Sequence, residues 1–288
     1  PYPAGGSTDI LGRNLAQRLT SSLGTPVVVE NKAGATGTIG GAWVAKSAPD
    51  GYTVLGTSIG PQAIAPHLMG KLPYDPLRDL EPVILIGIIP NMIAAHPSQP
   101  WNSFPDMVAA AKKDPDNLAY ATGGSGTVAH MSMKLVEQYF GIQLRQVPYR
   151  GGAPAAQDLL AGHVPMMVGS VTALGGFVKD GKARALVQTG ATRHPLLPDT
   201  PTLSEVGMKD FQAAAWIGIF VPSASADPIV TRFNSELKTV LQDSWVRERL
   251  AAVGVQIVAS TPEELGAHVK SEMTRWADVV TRYNIKAE

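Results

Sequence analysis

Four times along this chain a run of glycines and small hydroxyl residues leads straight into a helix-forming segment. The runs are Pro1-Tyr2-Pro3-Ala4-Gly5-Gly6-Ser7-Thr8-Asp9, Asn31-Lys32-Ala33-Gly34-Ala35-Thr36-Gly37-Thr38, Thr122-Gly123-Gly124-Ser125-Gly126-Thr127 and Pro148-Tyr149-Arg150-Gly151-Gly152-Ala153. Glycine lets the backbone turn tightly and approach a ligand with no side chain in the way. The first-turn amides of a helix lack intrahelical partners, so such starts present donors to an anion, while Ser7 or Thr8 is expected to cap the first helix. The last three runs follow short apolar segments that read as strands. Strand, loop and helix in repetition predict an α/β fold, and in a parallel sheet such loops share the carboxyl edge of the strands, where these folds bind ligands.

The rest of the chain reads in the same terms. Ile10, Leu11, Leu15, Leu19 and Leu23 recur mostly every fourth residue and mark one face of a helix that Gly24 ends; Val27-Val28-Val29 then reads as a buried strand. Tyr52 to Thr57 is predicted as a strand, Val83–Ile89 and Asn91–His96 as two extended runs, and Phe104–Lys113 as a helix. Leu118–Ala121, Leu144–Val147, Val164–Val168 and Ala185–Thr189 are further strands, and Pro154 is expected at the first position of a helix. Helices from about Pro228, Ser244 and Pro262 complete the chain, the last opened by the capping box Thr261-Pro262-Glu263-Glu264. Two α/β lobes follow: residues 1–95 with 220–288, and residues 96–219. Two crossings, near Ala94–Pro97 and Ala213–Val221, join them, and a ligand cleft is expected between them.

Composition narrows the function. At 288 residues the length suits about two domains of roughly 150 residues each. Formal net charge is zero with no long basic run, which argues against nucleic acid as a partner. Cysteine is absent, which removes disulfides, thiol nucleophiles and thiolate metal sites. The longest apolar run, Val83–Ile89, stops at Pro90, short of the ~20 residues that span a bilayer. No basic and apolar leader precedes Pro1, so a signal peptide is expected to have been removed or to lie outside this sequence.

Motifs for other chemistries fail on inspection. Gly124-x-Gly126-x-x-Ala129 matches a loosened dinucleotide fingerprint, but the next strand ends in Val147-Pro148-Tyr149-Arg150 and supplies no acid for a ribose. Gly176–Lys182 has phosphate-loop spacing until Ala183, where a hydroxyl belongs. The 6 histidines are scattered, so no metal is expected. Ser125, between Gly123 and Thr127, is no nucleophile elbow, and Ser125 and His130 on one helix start rarely reach triad geometry. What remains is an inventory of donors: loop amides and the hydroxyls of Ser7, Thr8, Thr36, Thr38, Ser125 and Thr127. Carboxylates accept such bonds. Arg150 is the one loop cation placed to meet an anion directly.

These loops in this order closely resemble the Bug family, the extracytoplasmic solute-binding proteins of tripartite tricarboxylate transporters. Besides the first two runs, the resemblance is carried by Ala48-Pro49-Asp50-Gly51-Tyr52-Thr53, Val147-Pro148-Tyr149-Arg150-Gly151-Gly152-Ala153-Pro154 and Leu197-Pro198-Asp199-Thr200-Pro201-Thr202, and it runs essentially end to end. It implies a type II periplasmic binding protein fold, two lobes hinged like a clam, with a further strand ahead of Pro1. It implies a small carboxylate ligand (di- or tricarboxylate, acidic amino acid or aromatic acid), a monomer in the periplasm, permease subunits in the membrane as partners, no cofactor and no catalysis. By position it nominates Tyr2, Ala4, Gly5, Ser7 and Thr8, then Ala35, Thr36, Gly37 and Thr38, as the first carboxylate site. Thr122, Gly124, Ser125, Thr127 and His130 are nominated from the other lobe, and Ser58, Ser170 and Trp216 for the far end of the ligand. The rival reading is an α/β enzyme acting on an acyl or phosphate group in the same cleft, with His130 as its base.

Overall fold

A computed structural model describes residues 1–115, 117–209, 213–252, 254–282 and 285. The chain forms two compact units: Pro1–Ile88 with Trp216–Glu288, and Ile89–Ala215. The terminal residues 286–288 of the first lobe as read from sequence lie outside the described residues.

In the first unit, α1 (Ser7–Leu23) ends at Gly24, whose φ of 65° is the left-handed cap that glycine adopts without steric cost. It buries Leu11, Leu15 and Leu19, each worth roughly 1.5–3 kcal/mol when fully enclosed. A 3-10 turn at Ala35–Gly37 leads into α2 (Thr38–Ala45), followed by β1 (Leu55–Ser58), a π turn at Gly60–Ile64, α3 (Ala65–Leu68) and β2 (Leu80–Ala95). The second unit holds α4 (Phe104–Lys113), β3 (Ala119–Thr122), α5 (Val128–Phe140), β4 (Arg145–Pro148), α6 (Gly152–Leu160), β5 (Met166–Ser170), α7 (Val171–Lys179) and β6 (Arg184–Gln188). The chain then returns to the first unit through β7 (Ala214–Pro222), α8 (Asp227–Gln242), α9 (Ser244–Ala252), β8 (Gln256–Ile257) and α10 (Pro262–Arg282).

The sheet is mixed, not parallel throughout. Among the described residues, β1 pairs antiparallel with β7, β2 pairs antiparallel with β5, β6 and β8, and β3 pairs parallel with β4 and β5. The two apolar runs expected around Pro90 are one continuous strand. Pro90 lacks an N–H, and it sits where β2 changes partners, between the ladder to β8 at Gly87–Ile88 and the ladder to β5 from Asn91. The second unit closes its core with Met92, Ala121, Leu159, Met167, Val171 and Leu174. In the first unit Phe220, Leu265 and Trp276 are enclosed.

Three local expectations are corrected. Val27-Val28-Val29 is extended but belongs to no strand among the described residues; Val28 is 80% exposed, and the segment walls a cavity of about 750 Å³ with α1, β1 and α8. β-branched residues favour an extended backbone, but a strand also needs a ladder partner. The N-cap of α1 is Gly6, not Ser7 or Thr8, which are its first helical residues. Pro154 is the third residue of α6, whose cap is Gly151. The capping box at Thr261 is present: Glu264 N donates to Thr261 Oγ1 at 3.2 Å and Thr261 N to Glu264 Oε2 at 2.7 Å. Among the described residues no helix is long and apolar enough to cross a membrane.

Candidate functional site

In the first unit three turns meet. A Cβ on Gly37 would lie 3.2 Å from Pro61, 3.3 Å from Pro1 and 3.3 Å from the Tyr2 ring. One on Gly60 would lie 3.2 Å from the Tyr2 hydroxyl and 3.5 Å from Thr36 Cγ2. The first loop, the second loop and the turn after β1 therefore share one small volume, and glycine at 37 and 60 permits the approach. Tyr2 Oη and Ser58 Oγ are 2.7 Å apart, a hydrogen bond between residues 56 positions apart in sequence. Burial pushes the Tyr2 hydroxyl up to about 12, outweighing the opposite pull of Ser58, so Tyr2 stays protonated and able to donate.

The second loop carries two of the three left-handed non-glycine residues among the described residues, the third being Ala259. From Gly34 to Gly37 φ is positive at every residue, at 129°, 44°, 55° and 95°, although Ala35 and Thr36 have side chains. Left-handed non-glycine residues cost on the order of 1 kcal/mol or more each and concentrate at functional sites. Thr38 Oγ1 donates to Ala35 O at 2.8 Å and Gly37 N to Gly34 O at 2.9 Å, which hold the turn. In the first loop, Gly5 takes φ 83° and gives its amide to Asp9 Oδ2 at 2.9 Å. Neither Gly6 before α1 nor Gly37 before α2 offers a side-chain cap, so no hydroxyl or carboxylate at the N-cap closes these helix starts.

The second unit gathers its own nominated residues at the ends of β3, β4 and β5. Thr127 caps α5, accepting from His130 N at 3.3 Å and donating to Gly124 O at 2.8 Å. Gln146 Nε2 donates to Thr122 Oγ1 at 2.8 Å, and Ser125 Oγ lies 3.4 Å from Gln146 Oε1. The position of a Cβ on Gly123 is 3.2 Å from Gly152 N, so the third and fourth loops pack backbone to backbone. Ser170 caps α7, accepting from Ala173 N at 3.2 Å. Arg150 is exposed at the end of β4.

His130 is 1% exposed, and its Nδ1 accepts the Gly126 amide at 3.2 Å. An Nδ1 that accepts leaves the proton on Nε2, which is buried with no partner among the described residues. Burial, with the charge of Lys134 adding to it, lowers the imidazole to about 4. It is a neutral donor at neutral pH.

Trp216 is next to Ile217, which pairs with Ser58 across β1 and β7. It lies in β7, 1% exposed, its ring edge-on to His268 at 5.3 Å in the first unit. Sequence reasoning passed over Asn31, Gly60, Tyr74 and Gln146. Tyr74 Oη donates to Pro61 O at 3.0 Å and so fixes the turn after β1. Only Asp9 had a legible signal, its i,i+4 spacing to Arg13.

Against this geometry, the model of the tripartite tricarboxylate transporter family receptor (TctC) matches residues 11–285. The chain belongs to this family. BugT of Bordetella pertussis is 36% identical over 287 residues, 99% of this chain and 88% of that protein. Rhodopseudomonas palustris Rpa4515, solved with adipate, superposes with a TM-score of 0.96 at 31% identity over 100% of this chain and 96% of that one. MatC (Rpa3494) of the same organism, solved with bound malate, gives 0.91 at 33% identity over 97% and 96%. This TctC protein is thus a solute-binding protein with the periplasmic binding protein fold, and the expected Bug resemblance holds.

Proposed function

We propose that this TctC protein captures a small carboxylate in the periplasm, chiefly on the first-unit loops, and delivers it as a monomer to the membrane permease of a tripartite tricarboxylate transporter. The observation that carries the reading is the approach of Pro1 and Tyr2 to Gly37 and Gly60 around a strained turn, with the Tyr2 and Ser58 hydroxyls in contact there and α1 and α2 each starting at a glycine. The cations bordering these loops are already engaged, Arg13 with Asp9 and Lys32 with Glu30. An anion there is met by main-chain and hydroxyl dipoles, each charge-assisted bond worth about 1.5–3 kcal/mol. Two relatives were solved with dicarboxylates. Thr122, Gly124, Ser125, Thr127 and the His130 Nε2–H supply neutral polar contacts to the ligand, with Ser170 and the exposed Arg150 as further candidates.

The enzyme reading loses its base. An imidazole held near 4 by burial is a poor proton acceptor at neutral pH, where a general base works best with a value near the operating pH. The test is a thermal-shift and calorimetry panel of adipate, malate, citrate, acidic amino acids and aromatic acids. A ligand at ~100 times its dissociation constant stabilises the fold by about 2.7 kcal/mol. Binding by none of them, or steady product formation from the purified protein, overturns the proposal.

A further inference from the structure

One carboxylate of the chain itself is buried inside the first loop. Asp9 is 6% exposed at the start of α1, and it accepts hydrogen bonds from the first loop, from α1 and from the second loop. Its Oδ2 accepts from Gly5 N at 2.9 Å and its Oδ1 from Asn31 Nδ2 at 2.9 Å; Arg13 Nε stands 3.0 and 3.1 Å from the two oxygens. Asn31 also donates to the Tyr2 carbonyl at 3.0 Å and accepts from Arg13 at 2.9 Å. Asp9, Arg13, Asn31 and the backbone at Tyr2 and Gly5 thus form a closed ring. Asn31 is the first residue of the second glycine loop, so the ring ties the second loop to the first.

We infer that Asp9 is the positioning residue of the carboxylate site: it sets the second loop against the first and holds Tyr2 where its hydroxyl meets Ser58. This rests on the reading of those loops as the ligand site. Two consequences follow from the geometry. Gly5 does not serve the ligand with its amide, because Asp9 already takes it, so its glycine is required for the left-handed turn. Arg13 is also needed as a neutralising partner, since an uncompensated Asp9 would repel an incoming anion across the same turn. Burial by itself would raise the Asp9 carboxyl, yet the bonds from Arg13, Gly5 and Asn31, with the Arg13 charge, hold it below the ordinary carboxylate range.

The experiment is calorimetry at 25 °C, well below the unfolding midpoint, with malate and adipate as probes, on the wild-type chain, Asp9→Asn, Asn31→Ala and the double variant. At that temperature a merely destabilised protein stays folded and binds with unchanged affinity. Positioning predicts that Asp9→Asn and Asn31→Ala each weaken binding by roughly tenfold or more, and that the double variant is little worse than the weaker single one. Wild-type affinity in Asp9→Asn, or losses that simply add, overturns the inference. Should Asp9→Asn not fold, Arg13→Gln keeps the carboxylate and removes its clamp; there too, undiminished affinity counts against it. If the wild-type chain binds neither probe, the carboxylate reading fails instead. The amide resonance of Gly5 then decides the anchor separately, because an Asp9→Asn change that leaves it unmoved shows that no such bond exists.

Discussion

The glycine-loop helix starts of the two units differ in what closes them. In the first unit α1 and α2 begin at Gly6 and Gly37 with no side-chain cap. In the second unit Thr127 and Ser170 fold back onto the backbone of α5 and α7, and the uncapped start of α6 is covered by Gly123. A capping hydroxyl satisfies an orphan amide, and a satisfied amide has less to offer an anion. The cap residues of α1 and α2 take none of the first-turn amides, and the turn before α2 carries left-handed Ala35 and Thr36, whereas Thr127 and Ser170 each take an amide of the helix they cap. On the proposed function, similar glycine loops divide into a half that takes charge and a half that makes neutral polar contact.

Substitutions on the two sides can break that contrast. The largest effect is expected from Gly37→Val, where φ is 95° and the added atoms run into Pro61, Pro1 and Tyr2: carboxylate binding should disappear in calorimetry. The matching change Gly124→Ala, at φ 133° with Tyr149 O 3.4 Å away, should lower stability while carboxylate binding remains measurable; equal loss of binding at both glycines would erase the distinction.

Next in size is a pH effect confined to the second unit. Because the folded His130 titrates near 4 and an unfolded histidine near ~6.5, its contribution is complete above ~6.5 and is lost as pH falls from there toward 4. The loss is about 3 kcal/mol at most. Urea unfolding should show a shallower decline over this range for His130→Gln than for wild type, the difference isolating His130 from His67 and His268, which burial also lowers. Parallel curves would mean that His130 is not held neutral.

Smaller changes sharpen the comparison. Tyr2→Phe removes the bond to Ser58 and should cost roughly tenfold in affinity with little change in midpoint. Thr127→Ala removes the α5 cap and should cost about 1 kcal/mol of stability with affinity changed only a few-fold. If these two exchange their signatures, charge is being held by the second unit.

Much of the fold was legible because it is local. The leucine stripe of α1, the left-handed stops at Gly24 and Gly141, the span Phe104–Lys113 and the capping box at Thr261 each depend on residues within one or two turns of one another. The misreadings of strands are long-range, whereas those at the α1 cap and at Pro154 are shifts of one or two residues at a helix start. Val27-Val28-Val29 has the composition of a strand, but pairing is a property of its neighbours. The break at Pro90 is absent because a strand can change partners there. Among the nominated residues, Tyr2, Thr36 and Gly37 come together from two loops, Ser58, expected at the far end of the ligand, is bonded to Tyr2 instead, Trp216 packs against His268, and the Gly5 amide is held by Asp9.

By itself the sequence determined that this TctC protein has glycine-rich helix starts, donors in place of cations, and an α/β succession to carry them. Spacing and residue type suffice for that, since turns, caps and amphipathic faces are set by near neighbours. Only the tertiary structure decided which starts carry a side-chain cap, that Asp9 joins two loops through Asn31, and that Tyr2 reaches Ser58. Those outcomes depend on which side chains from distant segments compete for the same amide or hydroxyl, and that competition is resolved only when the chain has packed.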